Sequence, residues 1–449
     1  MTSYGTIKAV YSLALPMVLT AFIGIFSLLV NTRILAEADG SYLYILAIHV
    51  PFSIFIIALL ESFQAVGFAF AGEAKGTKDK GLLWRRFGLL MIIIVVVLAV
   101  TAGLILGLGD HFLTAINVDP AKATIIKYFI LASTASAVLM LTAAVLSVPC
   151  YVNGIGLKVN AINISTTILG FVITWYASHK LGWGVYSLIA AQICTTLISL
   201  SFYVLLISRL KIFEVSALKW TELKANFKRF VSIAFPVCTS FVIIIFQSSV
   251  LNSVFANYST ELVVGYGIVY RLQNLIILPG IAIGIALAIK VNEGRGLGFG
   301  SAQVFDMLRE VFLSLFALYG VLALTFYLFR TSIVGLITPD PQIISQAASY
   351  LSIVAPSYLV FGPLLCLLIM QEQIGKGLRS LIYNIVSIGL QLAVVIYLAS
   401  TGVPKETLFL TISAAGGLSI FYLLYELSCY RKQKPPLAVS PTQKSQRTV

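Results

Sequence analysis

Four polar side chains stand inside long apolar runs where chemistry in a membrane would need them. Glu61 lies in Ala58-Leu59-Leu60-Glu61-Ser62-Phe63-Gln64, Arg271 in the run from 262 to 289, Asn31 at the end of the first apolar run and Gln247 within the seventh. A carboxylate surrounded by apolar residues is costly unless protonated, paired or wetted, which makes Glu61 the candidate proton carrier. Arg271 either attracts an anionic group or holds a neighbouring helix through backbone carbonyls. Asn31 and Gln247 carry amides, which coordinate Na⁺ or hydrogen-bond a substrate but cannot carry a proton. His49, two residues before Pro51, reads as a hydrogen-bonded interior histidine. Asn163, Asn384 and Gln391 read as glue between helices. The three histidines are far apart and the five cysteines form no C-x-x-C pair, so no metal-ligand set is expected. An enzyme would need clustered nucleophile, base or metal groups at one membrane face. The sequence offers no such cluster and implies no cofactor beyond H⁺ or Na⁺ as a coupling ion.

Positioning such groups takes long apolar helices. Of the 449 residues 59% are hydrophobic and 10% charged, with a mean hydropathy of +0.98; soluble domains carry about 25% charged residues. An integral membrane protein is expected. The stretches suit helices of about 20 residues and lack the alternation of a membrane β-barrel. Twelve spans are predicted, near residues 9–31, 42–71, 87–108, 126–148, 158–178, 184–208, 230–255, 262–289, 311–329, 345–370, 380–400 and 407–428. With the N-terminus inside, 23 of the 30 Lys and Arg residues fall on the inner side, six on the outer side, and Arg271 within a span. That asymmetry is the positive-inside pattern and predicts cytoplasmic termini. It accounts for the net charge of +13 without a nucleic-acid partner. Only Lys8 precedes the first apolar run, so that run is expected to remain as a span and not as a cleaved signal.

The chain also repeats itself. Leu13-Ala14-Leu15-Pro16 opens a run closed by Glu73-Ala74-Lys75-Gly76; Ile233-Ala234-Phe235-Pro236 opens another closed by Glu293-Gly294-Arg295-Gly296, 220 residues on. Gly154-Ile155-Gly156 answers to Gly375-Lys376-Gly377 and Asn163 to Asn384, at an offset of 221. These four glycines are expected to make tight turns with φ > 0, and Pro16 and Pro236 to kink their helices. Six spans per half insert with one orientation, so the halves should be related by an axis along the membrane normal. The expected fold is an all-α polytopic membrane protein, twelve transmembrane helices in two six-helix bundles related by a parallel repeat. The expected domains are an N-terminal bundle at 1–208, a cytoplasmic linker at 209–229, a C-terminal bundle at 230–428 and a disordered basic tail at 429–449. Two matched bundles around a central cavity suit transport by rocking. The candidate residues are not duplicated: Asn31 falls opposite Leu251, Glu61 opposite Ile281 and Arg271 opposite Pro51.

In order and duplication these motifs resemble the multidrug and toxic compound extrusion (MATE) family, of the multidrug/oligosaccharidyl-lipid/polysaccharide flippase superfamily. They are Pro16, Gly72-x-x-x-Gly76, Gly154-x-Gly156 and Gly182-Trp183-Gly184-Val185, then Pro236, Gly265-Tyr266-Gly267-Ile268 with Arg271, and Gln373-Ile374-Gly375-Lys376-Gly377. The resemblance implies a V-shaped two-bundle fold and antiport of amphipathic, often cationic, small molecules against H⁺ or Na⁺. A bacterial inner-membrane protein working as a monomer is expected, with a small-molecule substrate and the lipid bilayer as its partners. The alternative within the superfamily is a flippase or exporter of a lipid-linked or anionic substrate. Family members commonly place an aspartate late in the first span, where this chain has Asn31, and a glutamate early in the seventh, where Phe241 to Phe246 is wholly apolar. Asn31, Glu61, Gln247 and Arg271 therefore form the expected substrate and ion pathway.

Overall fold

Lipid offers no hydrogen bonds, so a chain this apolar must pair its backbone within itself. The computed structural model describes residues 3–39, 42–77, 80–115, 120–210, 220–297, 301–337 and 340–432; among them there is helix and short turn but no strand. The first half holds α1 (Ser3–Ala38), α2 (Tyr42–Thr77), α3 (Lys80–Ala115), α4 (Pro120–Val152), α5 (Gly156–His179) and α6 (Tyr186–Arg209). The second holds α7 (Trp220–Ala256), α8 (Thr260–Gly296), α9 (Ser301–Leu328), the short α10 (Arg330–Gly335), α11 (Pro341–Val354), α12 (Tyr358–Gln371), α13 (Gly377–Ser400) and α14 (Lys405–Lys432).

Eleven stretches are long and apolar enough to cross a membrane, and one of them, Pro341–Ser400, runs for 60 residues. Straight, it would measure about 90 Å at 1.5 Å per residue, some three bilayer cores. It is instead broken at Gly375, whose φ is +81°. Before the break α11 and α12 join through a 3₁₀ turn, Ala355–Ser357, and form one crossing; α13 forms the next. The twelve predicted spans are thereby accounted for.

The two halves pack alike. In the first, α1 lies on α5, α2 and α3 on α4, and α6 on α4 and α5; in the second, α7 lies on α13, α8 and α9 on α12, and α14 on α12 and α13. Between the halves α2 crosses α8, α1 touches α8 and α2 touches α7. Gly72 permits the α2–α8 crossing: a Cβ there would stand 3.2 Å from both Asn292 Cβ and the Ile289 carbonyl oxygen.

Of the four glycines expected at φ > 0, Gly154 (+79°) and Gly375 (+81°) are so. Gly156 and Gly377 are not; they are glycine for space. A Cβ on Gly156 would lie 3.1 Å from Pro16 Cβ, and one on Gly377 would lie 3.0 Å from Pro236 Cβ. The paired prolines and glycines of the sequence are thus one contact, made once in each half.

Two expected boundaries shift. The helix α7 begins at Trp220, inside the segment read as linker, because that extension has work to do: Arg229 pairs with Glu73, and Asn226 accepts from Arg86. Most of the tail read as disordered, from residue 433 onward, lies outside the described residues.

Candidate functional site

A cavity of about 300 Å³ lies inside the first bundle, between α1, α2, α4, α5 and α6. Its lining is hydroxyl- and amide-rich, with Thr20, Gln64, Tyr151, Asn163, Thr166 and Tyr203 among the polar side chains, and includes no Asp, Glu, Lys, Arg or His. Several of its walls are braced by hydrogen bonds. Thr20 meets the Tyr151 hydroxyl at 2.9 Å and donates to Asn160 Oδ1, which Tyr151 Oη also approaches at 3.2 Å. Tyr203 donates to Asn163 Oδ1, and Thr166 and Thr195 donate back to carbonyls of their own helices. Gln64 makes no hydrogen bond among the described residues. The cavity therefore offers hydroxyl lone pairs and unspent amide donors to a guest, beside the aliphatic Ile23 and Leu60.

Below this cavity the two halves are clasped by charge. Glu73 of α2 accepts from Arg86 of α3 at 2.9 Å and from Arg229 of α7. Glu293 of α8 pairs with Lys75 of α2 at 3.2 Å and with Lys290 at 2.9 Å. Arg86 also lies over the Phe70 ring, 4.7 Å from its centroid, and donates to Asn226 Oδ1 at 3.2 Å. The repeat explains the layout. Lys75 donates to the carbonyl of Val152 at the end of α4, and its counterpart Arg295 donates to Ile374 in the turn after α12. A cation placed at a helix C-terminus is favoured by the unpaired carbonyls there. The Glu-x-[Lys/Arg]-Gly endings that mark the repeat in sequence are the parts of this clasp.

The four residues proposed from sequence are not gathered into one site. Gln247 donates to Gln391 Oε1 at 2.6 Å, within the second bundle. Asn31 donates weakly to Ser27 at 3.4 Å, and its Oδ1 is buried without a partner. Glu61 is half-buried and makes no hydrogen bond or ion pair among the described residues; its chain neighbours Leu60 and Gln64 line the cavity. Arg271 is exposed on α8. His49 is held as expected, by Ser133 at 3.1 Å and Ser53 at 2.8 Å.

Sequence reasoning missed two acids. Ending the tenth span at residue 370 left Glu372 outside the membrane, whereas the helix runs on toward the kink at Gly375 and buries Glu372 to 3% exposure. Glu426 of α14 is also buried, and accepts from Gln371 at 2.8 Å and from Arg379 at 3.5 Å. The signal that could have found Glu372 is the repeat: it stands three residues before Gly375, as Tyr151 stands three before Gly154.

Residues 236–398 match the family model described as MatE. Over 131 residues the chain is 25% identical to the "Probable multidrug resistance protein YoeA" of Bacillus subtilis (strain 168), an alignment covering 28% of this chain and 27% of that protein. The chain thus spans about a quarter of the length of this curated relative. Over nearly its whole length it has the fold of solved transporters. With the Vibrio cholerae MATE transporter VcmN in its bent form the TM-score is 0.87 at 16% identity, covering 95% of this chain and 97% of that one. With a transporter of the MOP superfamily from Pyrococcus furiosus, described as having a binding pocket of reverse polarity, it is 0.81 at 15% identity, covering 95% and 97%. Sequence over most of the second bundle thus matches the MatE family model, and over the whole chain the fold is that of solved MATE transporters.

Proposed function

We propose that the protein is a secondary active exporter of amphipathic small molecules, cations among them, working by alternating access of its two bundles with H⁺ or Na⁺ entering in exchange. The observation that carries this reading is the direct link between cavity and clasp. Tyr151 forms part of the cavity wall, and the next residue, Val152, gives its carbonyl to Lys75, which also pairs with Glu293 across the two halves. A guest that moves Tyr151 moves an anchor of the ion pairs that hold the halves together at that end. Glu61, unpaired beside the cavity wall, is the first bundle's candidate for carrying the exchanged proton; Asn31, Gln247 and Arg271 complete the proposed pathway in supporting roles. The basic ends of the helices lie on the cytoplasmic side in this reading, with both termini, and the protein works as a monomer in the bacterial inner membrane. A lipid-linked pyrophosphate has less support as cargo, because no basic side chain lines the cavity.

The test is transport by the purified protein in vesicles, with H⁺ and Na⁺ gradients imposed separately and a fluorescent cationic dye as cargo. Export driven by one gradient and abolished by collapsing it is the expected result. Dye movement indifferent to both gradients would overturn the antiport reading. Glu61→Gln is expected to lower proton-driven export at least tenfold, and unchanged export would remove Glu61 from the pathway.

A further inference from the structure

The helix α11 starts with a carboxylate: Asp340 accepts from the Gln342 and Ile343 N–H groups. The start of α13 is built the opposite way. Lys376 stands at its cap position, Arg379 lies in its first turn, and no side chain caps it. Two cations are thus set at the positive end of a helix dipole, where an anion is favoured. The first bundle does not repeat the arrangement, because the counterparts of Lys376 and Arg379 are Ile155 and Lys158.

Neighbouring elements add to the imbalance. Arg295 of α8 reaches the Ile374 carbonyl at 2.9 Å, and both it and Arg379 act electrostatically on Lys376. The nearby acids are engaged: Glu426 accepts from Gln371 at 2.8 Å, Glu372 from Ser240 and Ser380, and Glu73 from Arg86 and Arg229. Arg379 meets Glu426 only at 3.5 Å and is half exposed. Lys376 makes no hydrogen bond among the described residues; its ammonium rests 4.1 Å from the centroid of the Tyr430 ring. The Tyr430 hydroxyl, on a residue 2% exposed, has no partner either, and it stands within the field of Arg295 and Arg379. Several donors without acceptors beside a positive helix end suit an anion with several oxygens, such as a phosphate. The surface above them is apolar. Ile382 and Val386 continue the exposed face of α13 that carries Arg379, and Phe421 and Tyr425 are exposed on α14, which packs against it. Tyr425 lies within the field of Arg379, which puts that apolar seam directly over the cations.

We propose that the seam between α13 and α14 holds an anionic phospholipid of the leaflet at that end, its phosphate received by Lys376 and Arg379 and its chains laid along Ile382 and Phe421. Lys376 turns from the Tyr430 ring to the phosphate, and the hydroxyl it uncovers becomes the inner donor. A zwitterionic headgroup brings its own ammonium to a site already crowded with cations, so an anionic one is selected. The bound lipid joins the start of α13 to the end of α14. The inference concerns a partner and not the cargo, and it stands whichever ion drives transport.

Native mass spectrometry of the full-length protein, titrated in detergent with phosphatidylglycerol or with phosphatidylcholine of identical chains, reads the site. Phosphatidylglycerol should be retained about tenfold more tightly than phosphatidylcholine, the worth of a charge-assisted contact, and should raise the melting temperature. Joint Lys376→Gln and Arg379→Gln should abolish the preference. Lys376→Arg, which keeps the charge, should retain it, and Lys158→Gln in the first bundle should leave it whole. Tyr430→Phe removes only a hydroxyl without a protein partner, so it should weaken retention without lowering the melting temperature. Inorganic phosphate in place of lipid should leave the melting temperature unmoved; a rise would identify a site for a soluble anion and overturn the lipid assignment. Equal retention of the two lipids by the wild-type protein overturns the proposal. So does an undiminished preference in the double variant; should that variant fail to fold, an undiminished preference in Tyr430→Phe does the same.

Discussion

A polar residue in a membrane helix is defined by its partner, and a sequence names residues without naming partners. Gln247 reads as a pathway residue because the run around it is apolar; in the structure its amide is committed to Gln391, which also reaches the Ile412 carbonyl at 3.5 Å. Gln247→Leu would leave Gln391 Oε1 without its donor. A loss of about 1–3 kcal/mol is expected, visible as a lower melting temperature; a change in transport at unchanged stability would argue instead for a place on the pathway. Asn163 and Asn384 were legible as structural residues because the repeat duplicates them, and both do hold neighbouring helices, through Tyr203 and Ser240. Glu61 was legible as an acid within a span because it stands inside an apolar run. Glu372 was not, since apolar run length alone decided where the tenth span ended, and a helix that runs past its apolar stretch to a glycine kink leaves no mark in hydropathy.

At the scale of the element, side chains repair or permit irregular backbone. Beside Pro279 in α8 the Tyr319 hydroxyl binds both groups of one helical step: Gly280 N–H donates to it at 2.9 Å and it donates to the Ile276 carbonyl at 2.9 Å. A side chain inserted into the i to i−4 ladder is a recognised cause of helix bending. Tyr319→Phe would strand both backbone groups in a fully buried place, and about 1–3 kcal/mol of stability should go with them, with faster amide exchange localised to residues 276–284. The turn glycines divide by mechanism. Gly375→Ala should cost about 1–2 kcal/mol through the left-handed backbone alone, since open space surrounds its missing Cβ. Gly377→Ala meets Pro236 at 3.0 Å instead. Combining it with Pro236→Ala should therefore recover part of the loss, whereas the same proline change should do nothing for Gly375→Ala. Thermal denaturation of the four variants separates the two. The sequence marks all four glycines equally; only the neighbours distinguish backbone from space.

For the whole molecule, the clasp ties the two halves together at one end. Its ion pairs are partly buried, with side-chain exposures of 19% for Glu73 and Glu293 and 10% for Arg86, so removing one partner leaves a poorly hydrated charge and costs more than it would in a surface pair. Lys75→Glu sets a carboxylate against that of Glu293 and should part the halves at that end, lengthening spin-label distances between the basic ends of α2 and α8. Adding Glu293→Lys should restore the closed distance distribution, while a clasp without mechanical importance would leave it unmoved in both variants. The repeat made the parts of the clasp visible as sequence, but not their pairing, because Glu73 finds its arginines on α3 and α7 and only Lys75 and Glu293 join the two copies of the motif. The crossing count of each half carries one last consequence. Six crossings return the chain to the side where it began, so the start of α1, the join between α6 and α7, and the end of α14 all share one side. The order of the halves along the gene is then arbitrary to the folded object. A permuted chain, cut between Arg209 and Trp220 and fused from its C-terminal segment back to Ser3, should assemble into the same molecule.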